Sequence, residues 1–128
     1  MAELLEIGGD WVLRCDEDGA LIDSDRAVAD LIGDAYSEGA MWVALPVSRL
    51  PADFFQLRTG LAGMITQKFM NYQRKLALVG DITGHLAASN ALRDWVRECN
   101  QGDELWFVPT FEELAARLGA ASPSESGE

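Results

Sequence analysis

Ser48, Asp81 and His85 each lie just beyond an apolar run, and Arg58-Thr59-Gly60 opens an amphipathic stretch. A serine nucleophile requires a histidine base, an orienting carboxylate and an oxyanion hole. Ser48, His85 and Asp81 supply the first three types. No G-x-S-x-G elbow surrounds Ser48 and no oxyanion hole is signalled, so the three read as loop residues rather than as a triad. Arg58-Thr59-Gly60 offers different chemistry. A threonine at the start of a helix leaves free backbone amides beside it, and these attract anions. An adjacent arginine adds a bidentate donor for phosphate or carboxylate. The plainer reading of the same residues is that Thr59 caps the helix and Arg58 pairs with a nearby acid. The Thr59 hydroxyl is also a candidate phosphorylation site. Gly60 and Gly63 share the first turn, where each costs about 1 kcal/mol against alanine, which points to close approach of another backbone or a ligand.

Other reactive side chains read as structural. Lys68 borders the apolar stripe and snorkels. Cys15 and Cys99 stand in no CxxC or metal-ligand spacing and behave as small buried apolar groups. With one histidine in the chain, no zinc constellation can be assembled, and no metal is expected. The absence of a Walker loop and of G-x-G-x-x-G gives no cofactor to expect either.

These residues must be positioned by one folding unit, since 128 residues suffice for a single core. The hydrophobic fraction of 48% is ordinary for a globular chain. No apolar run approaches the roughly 20 residues of a membrane span. The acidic start MAELLEIGGD does not resemble a signal peptide, so a cytoplasmic location is expected. Ten basic against 21 acidic residues give a net charge of −11, which repels nucleic acid and anionic membranes alike. The one basic cluster, Lys68, Arg74 and Lys75, is thin.

Short apolar runs at 4–7 and 11–15 flank Gly8-Gly9 and predict a hairpin. Residues 20–22 read as a short third strand. Ser24 caps a helix over about 25–38, whose Val28, Leu31, Ile32, Ala35 and Tyr36 form one buried face, and Gly39 ends it. Apolar runs at 41–46, 76–80 and 104–108 predict buried, adjacent, parallel strands. Between them lie a helix from Thr59 to about Gln73, burying Leu61, Ile65, Phe69 and Tyr72, and another over about 85–99, with Thr83 or Ser89 as its cap. Trp11, Trp42, Trp95 and Trp106 read mostly as core. Phe54 and Phe55, in a loop, either close the core or offer an apolar patch. Thr110-Phe111-Glu112-Glu113 is a capping box for a last helix that Gly119 stops. Residues 119–128 read as a disordered tail beyond a domain over 1–118. The alternation argues an α/β fold, with a mainly parallel sheet, helices packed on both faces and an antiparallel N-terminal hairpin. Ser48, Arg58, Thr59, Asp81 and His85 then fall in loops at the carboxyl ends of strands and converge on one rim.

Several stretches carry a family resemblance. FFQLRTGLAG, QKFMNY, LALVGD and LRDWVRECNQG resemble an uncharacterised bacterial family, domain-of-unknown-function family 4180, over about residues 4–118. That resemblance implies no activity. A looser one reaches STAS domains, the anti-sigma-factor-antagonist fold. Such domains have a strand pair, alternating helices and strands, and a phosphorylated serine or threonine loop before the central helix. Thr59-Gly60-Leu61 matches that loop and Thr110-Phe111-Glu112-Glu113-Leu114 the start of the last helix. Leu57 and Arg58 stand where an acidic residue belongs, so the layout transfers better than the phosphoswitch. The reading is a STAS-like, non-catalytic regulatory or protein-interaction module with a protein partner, and a homodimer is allowed. The competing reading is a small enzyme or binding protein for an anionic metabolite at the strand-end rim. Ser48, Arg58, Thr59, Gly60, Asp81 and His85 are the candidate binding residues in either case.

Overall fold

The computed structural model describes residues 2–121. Gly8 and Gly9 take φ of 58° and 90°, the two positive values a type I′ turn requires. They join β1 (Glu3–Ile7) to β2 (Asp10–Arg14) as an antiparallel hairpin with Ile7 opposite Asp10 and Glu3 opposite Arg14. The chain then alternates through α1 (Asp25–Glu38), β3 (Trp42–Pro46), α2 (Leu61–Asn71), β4 (Lys75–Val79), α3 (Thr83–Ala88), α4 (Asn90–Gln101), β5 (Leu105–Val108) and α5 (Phe111–Ala121). The strands lie side by side in chain order, and β2 through β5 are parallel. The three buried runs are therefore adjacent parallel strands, as their apolar character on both faces predicts.

Each crossover steps to the next strand in the same direction, so crossovers of one hand place their helices on one face. There Val28 and Ile32, Ile65 and Phe69, and Leu92 and Val96 pack on Leu13, Val43, Leu45, Leu76, Leu78 and Phe107. Among the described residues only α5 lies on the other face, where Leu114 and Leu118 meet Val12, Ala44 and Ala77. The Trp42 and Trp106 rings meet beside them, centres 4.4 Å apart and planes tilted by 38°. The period-two alternation of the strands divides the two cores. Lys68 does not face solvent alone: its Nζ meets Asp25 of α1 at 2.7 Å and ties the two helices.

Several expectations are corrected. Residues 20–22 form no strand. Instead the Ile22 amide donates to the Arg49 carbonyl at 2.8 Å, and Arg49 Nε donates back to the Ala20 carbonyl at 2.7 Å. The helix expected over 85–99 is two helices, because Ser89 leaves helical geometry to cap α4, accepting from the Leu92 amide at 3.1 Å. Tyr72 is half exposed at the end of α2, Trp11 is 44% exposed, and Tyr36 falls outside the buried face of α1, so none of the three is core. Gly119 does not stop α5, which continues to Ala121. From residue 122 onward the expected tail lies outside the described residues. No helix of the described residues is long and apolar enough to cross a membrane.

Candidate functional site

The link between β3 and α2 decides where the candidate residues go. After β3 the chain makes three 3₁₀ turns, Val47–Arg49, Ala52–Phe55 and Leu57–Thr59. The middle turn buries both phenylalanines, Phe54 completely. Each contributes about 1.5–3 kcal/mol of burial. They close the core rather than form a patch, and Phe54 contacts the Trp95 and Phe107 rings. Fixing Phe54 and Phe55 inward turns Gln56, Arg58 and Thr59 outward.

Thr59 does not cap α2, contrary to expectation. The N-cap is Gly60, in left-handed geometry at φ 82° and without a side-chain cap. The Thr59 hydroxyl instead turns back, 2.8 Å from the Asp53 carbonyl and 2.9 Å from that of Gln56. It lies 3.4 Å from the Leu61 amide, which leaves little bonding to the new helix. Thr59 thus fastens the 3₁₀ segment. A Cβ on Gly60 or Gly63 would meet nothing within 4 Å, so neither glycine admits a close neighbour. Gly60 is explained by its φ; nothing in the structure explains Gly63.

Ser48 and Asp81 are committed elsewhere. The Ser48 hydroxyl donates to the Glu17 carbonyl at 3.3 Å, pinning the loop after β2. Arg49 shares that task, with its Nη1 3.0 Å from the Asp16 carbonyl. Asp81 follows β4, and one carboxylate oxygen accepts from the Thr83 amide at 2.9 Å and the Thr83 hydroxyl at 2.8 Å. Those two bonds, the backbone one first, hold its carboxyl below the usual carboxylate range. Among the described residues no hydrogen bond joins Ser48, His85 and Asp81, so the formal triad is not assembled.

Arg58 and His85 do come together. They line one groove of about 490 Å³ with Ala52, Phe55, Gln56 and Leu57 on one wall and Ala88, Ser89 and Ala91 on the other. His85 lies flat on Phe55, ring centres 3.9 Å apart and planes within 6°. The buried ring thereby fixes an exposed imidazole. Arg58 makes no ion pair or hydrogen bond among the described residues, so its guanidinium is available. The alanines keep the opposite wall low. The signal in the sequence was Phe54-Phe55 after Pro51; the alanines and Ser89 gave none.

The crevice at the carboxyl ends of the parallel strands is a separate hollow of about 280 Å³ that holds none of the candidate residues. Arg14 stacks on Phe111 there, 4.0 Å above the ring centre. Glu17 and Glu112 share the lining, which gives it mixed charge. Cys15 is buried beside it, and burial pushes its thiol up to about 11. Half-buried Cys99 is pushed up to about 11 for the same reason. Among the described residues no group of three histidine, cysteine or acidic side chains could hold a metal ion.

A family model described as a domain of unknown function, DUF4180, matches residues 8–118. No curated protein and no solved structure matches the chain. Because that match spans most of the chain, including β2, every later strand and the groove between the Ala52–Arg58 segment and α3, the chain belongs to the DUF4180 family.

Proposed function

We propose that this protein is a cytoplasmic, non-catalytic interaction module of STAS-like layout, and that the Arg58–His85 groove is its partner-recognising surface. The observation that carries the reading is the His85 ring held on Phe55 beside an unpaired Arg58, over a wall of small side chains. Two cationic or hydrogen-bonding groups on an otherwise strongly acidic molecule select an acidic segment of a partner protein. The groove is open and shallow, which suits a peptide laid along it. Asp81 contributes by fixing, through Thr83, the start of the helix that carries His85, while Ser48 holds the loop after β2, away from the groove. Thr59 contributes as the fastening of one wall, and a phosphate on its hydroxyl would release the Asp53 and Gln56 carbonyls. Regulation would then act by loosening that wall.

The test compares wild type with Arg58→Glu and His85→Ala in native pull-downs, followed by reconstitution with the purified candidate partner. Both side chains are exposed, so the variants should fold, which circular dichroism checks. Loss of a charge-assisted bond weakens binding by about 10- to 100-fold. If both variants bind the same purified partner as wild type does, the groove is not the surface. If wild type is stabilised by a small anionic metabolite that Arg58→Glu ignores, the groove is a metabolite site and the interaction reading fails.

A further inference from the structure

The two edges of the sheet are built differently. At β5, the amides of Leu76 in β4 and of Gly80 just beyond it donate to the Glu104 and Val108 carbonyls at 3.0 and 2.9 Å. Even-numbered residues of β5 therefore face β4, and Phe107 and Pro109 face outward. The Phe107 amide is already taken by Asn100 Oδ1 at 2.7 Å. Pro109 has no amide proton to offer. Both features block a further strand.

At β1 the edge is open. The residues flanking a type I′ turn exchange both bonds, so Ile7, Leu5 and Glu3 bond to β2, and Leu4 and Glu6 point their backbone groups away from it. Trp11, which stands opposite Glu6, obeys the same parity: its carbonyl accepts from Met41 at 3.0 Å, on the side away from β1. Among the described residues nothing bonds the outer amides or carbonyls of Leu4 and Glu6. No proline, bulge or lysine guards the strand, and Leu4, Leu5 and Ile7 are only half buried.

We propose that β1 pairs antiparallel with β1 of a second copy of this chain, joining the two five-stranded sheets across a twofold axis. The asymmetry of the edges selects this occupant. A head-to-tail array would need both edges, and β5 is closed, so the open edge is satisfied in a self-complementary way that stops at two. Charge selects the register. Centring the pair on Leu5 sets Leu5 against its own copy, Leu4 against Glu6 and Glu3 against Ile7, and uses both outward residues of each strand. Centring on Glu6 would set like charges face to face, which is destabilising. Each chain carries a net charge of −11, so added salt should tighten the dimer by screening their repulsion.

Sedimentation velocity of the full chain over a concentration series, at low and high salt, reads the assembly directly. Hydrogen exchange reads the edge. The expected result is a species of twice the 14.0 kDa chain mass, favoured by salt, with the Leu4 and Glu6 amides protected only where that species forms. Glu6→Pro removes an outward amide and no bond to β2, a placement edge strands tolerate, and should give a folded monomer. Glu6→Gln keeps the amide and should stay dimeric. A wild-type chain that remains monomeric at every concentration and salt overturns the proposal. So does a dimer that survives Glu6→Pro with its fold intact, or one that forms without protecting Leu4 and Glu6. Should Glu6→Pro fail to fold, concentration-dependent protection in wild type decides alone.

Discussion

Replacing Gly8 by asparagine separates what a hairpin demands from what this molecule demands of it. Asparagine is favoured in type I′ turns, so a hairpin in isolation would accept the change or gain from it. Here a Cβ on Gly8 would lie 2.3 Å from the Leu118 carbonyl oxygen and 2.8 Å from its carbon. Real Cβ contacts do not fall under 3.0 Å, so the hairpin and α5 must part by about 0.7 Å (3.0 minus 2.3). Both partners are backbone, and neither can rotate away. Overpacking of this kind costs about 1–3 kcal/mol. Gly8→Ala adds the left-handed penalty at φ 58°, roughly a further 1 kcal/mol. Gly9→Asn is the control, since φ is 90° there but nothing lies within 4 Å, and it should lose less than about 1 kcal/mol. Urea unfolding followed by circular dichroism should rank the chains wild type, Gly9→Asn, Gly8→Asn, Gly8→Ala. A Gly8→Asn midpoint equal to that of wild type would refute the close docking of the hairpin on α5.

Two further outcomes follow from the connections around the groove. Thr59→Val removes one hydroxyl proton shared between the Asp53 and Gln56 carbonyls, both of which still accept backbone amides at 3.1 and 2.9 Å. Nothing buried is orphaned, so thermal melts should show a loss of about 1 kcal/mol or less, and a larger loss would mean that Thr59 supports more than this turn. Asp81 has a folded pKa below the ordinary 3.8, so its contribution is complete above that value and disappears as pH falls through the lower folded one. Asp81→Asn should therefore lower stability near neutral pH and flatten its fall on the acid side; an unchanged acid limb in pH-dependent melts would show that the Thr83 bonds do not matter.

The strands and the larger helices were legible because burial leaves a periodic record. β3 is apolar on both faces, and α1 repeats at helical spacing through Val28, Leu31, Ile32 and Ala35. Even Ser89 was visible as a cap, though not the fact that it ends α3 before it starts α4. What left no record were contacts made by one long side chain to distant backbone. Arg49 bonds the carbonyls of Asp16 and Ala20, more than two dozen residues earlier, and thereby displaces a strand that residues 20–22 would otherwise suggest. The division of the helices between the faces was also hidden, since it depends on strand order and not on any one segment.

The candidate site was half legible for a related reason. Arg58 and His85 were readable as polar residues following apolar runs, and they do share a groove, though His85 stands in α3 rather than in a loop and the groove is not the strand-end crevice. Thr59 was misread because a threonine before an amphipathic stripe is ordinarily a cap, a local rule that here competes with a tertiary one. Burying Phe54 and Phe55 fixes a 3₁₀ turn immediately upstream, and its carbonyls at Asp53 and Gln56 then lie within reach of the hydroxyl. Once the hydroxyl turns back to them, the helix must begin without it. Gly60 makes that possible, because φ of 82° lets the chain leave one turn and enter the next helix in a single residue. Arg58, two residues before Gly60, is carried outward by the same geometry. The guanidinium that lines the groove is thus placed by the two phenylalanines behind it, not by the helix it precedes.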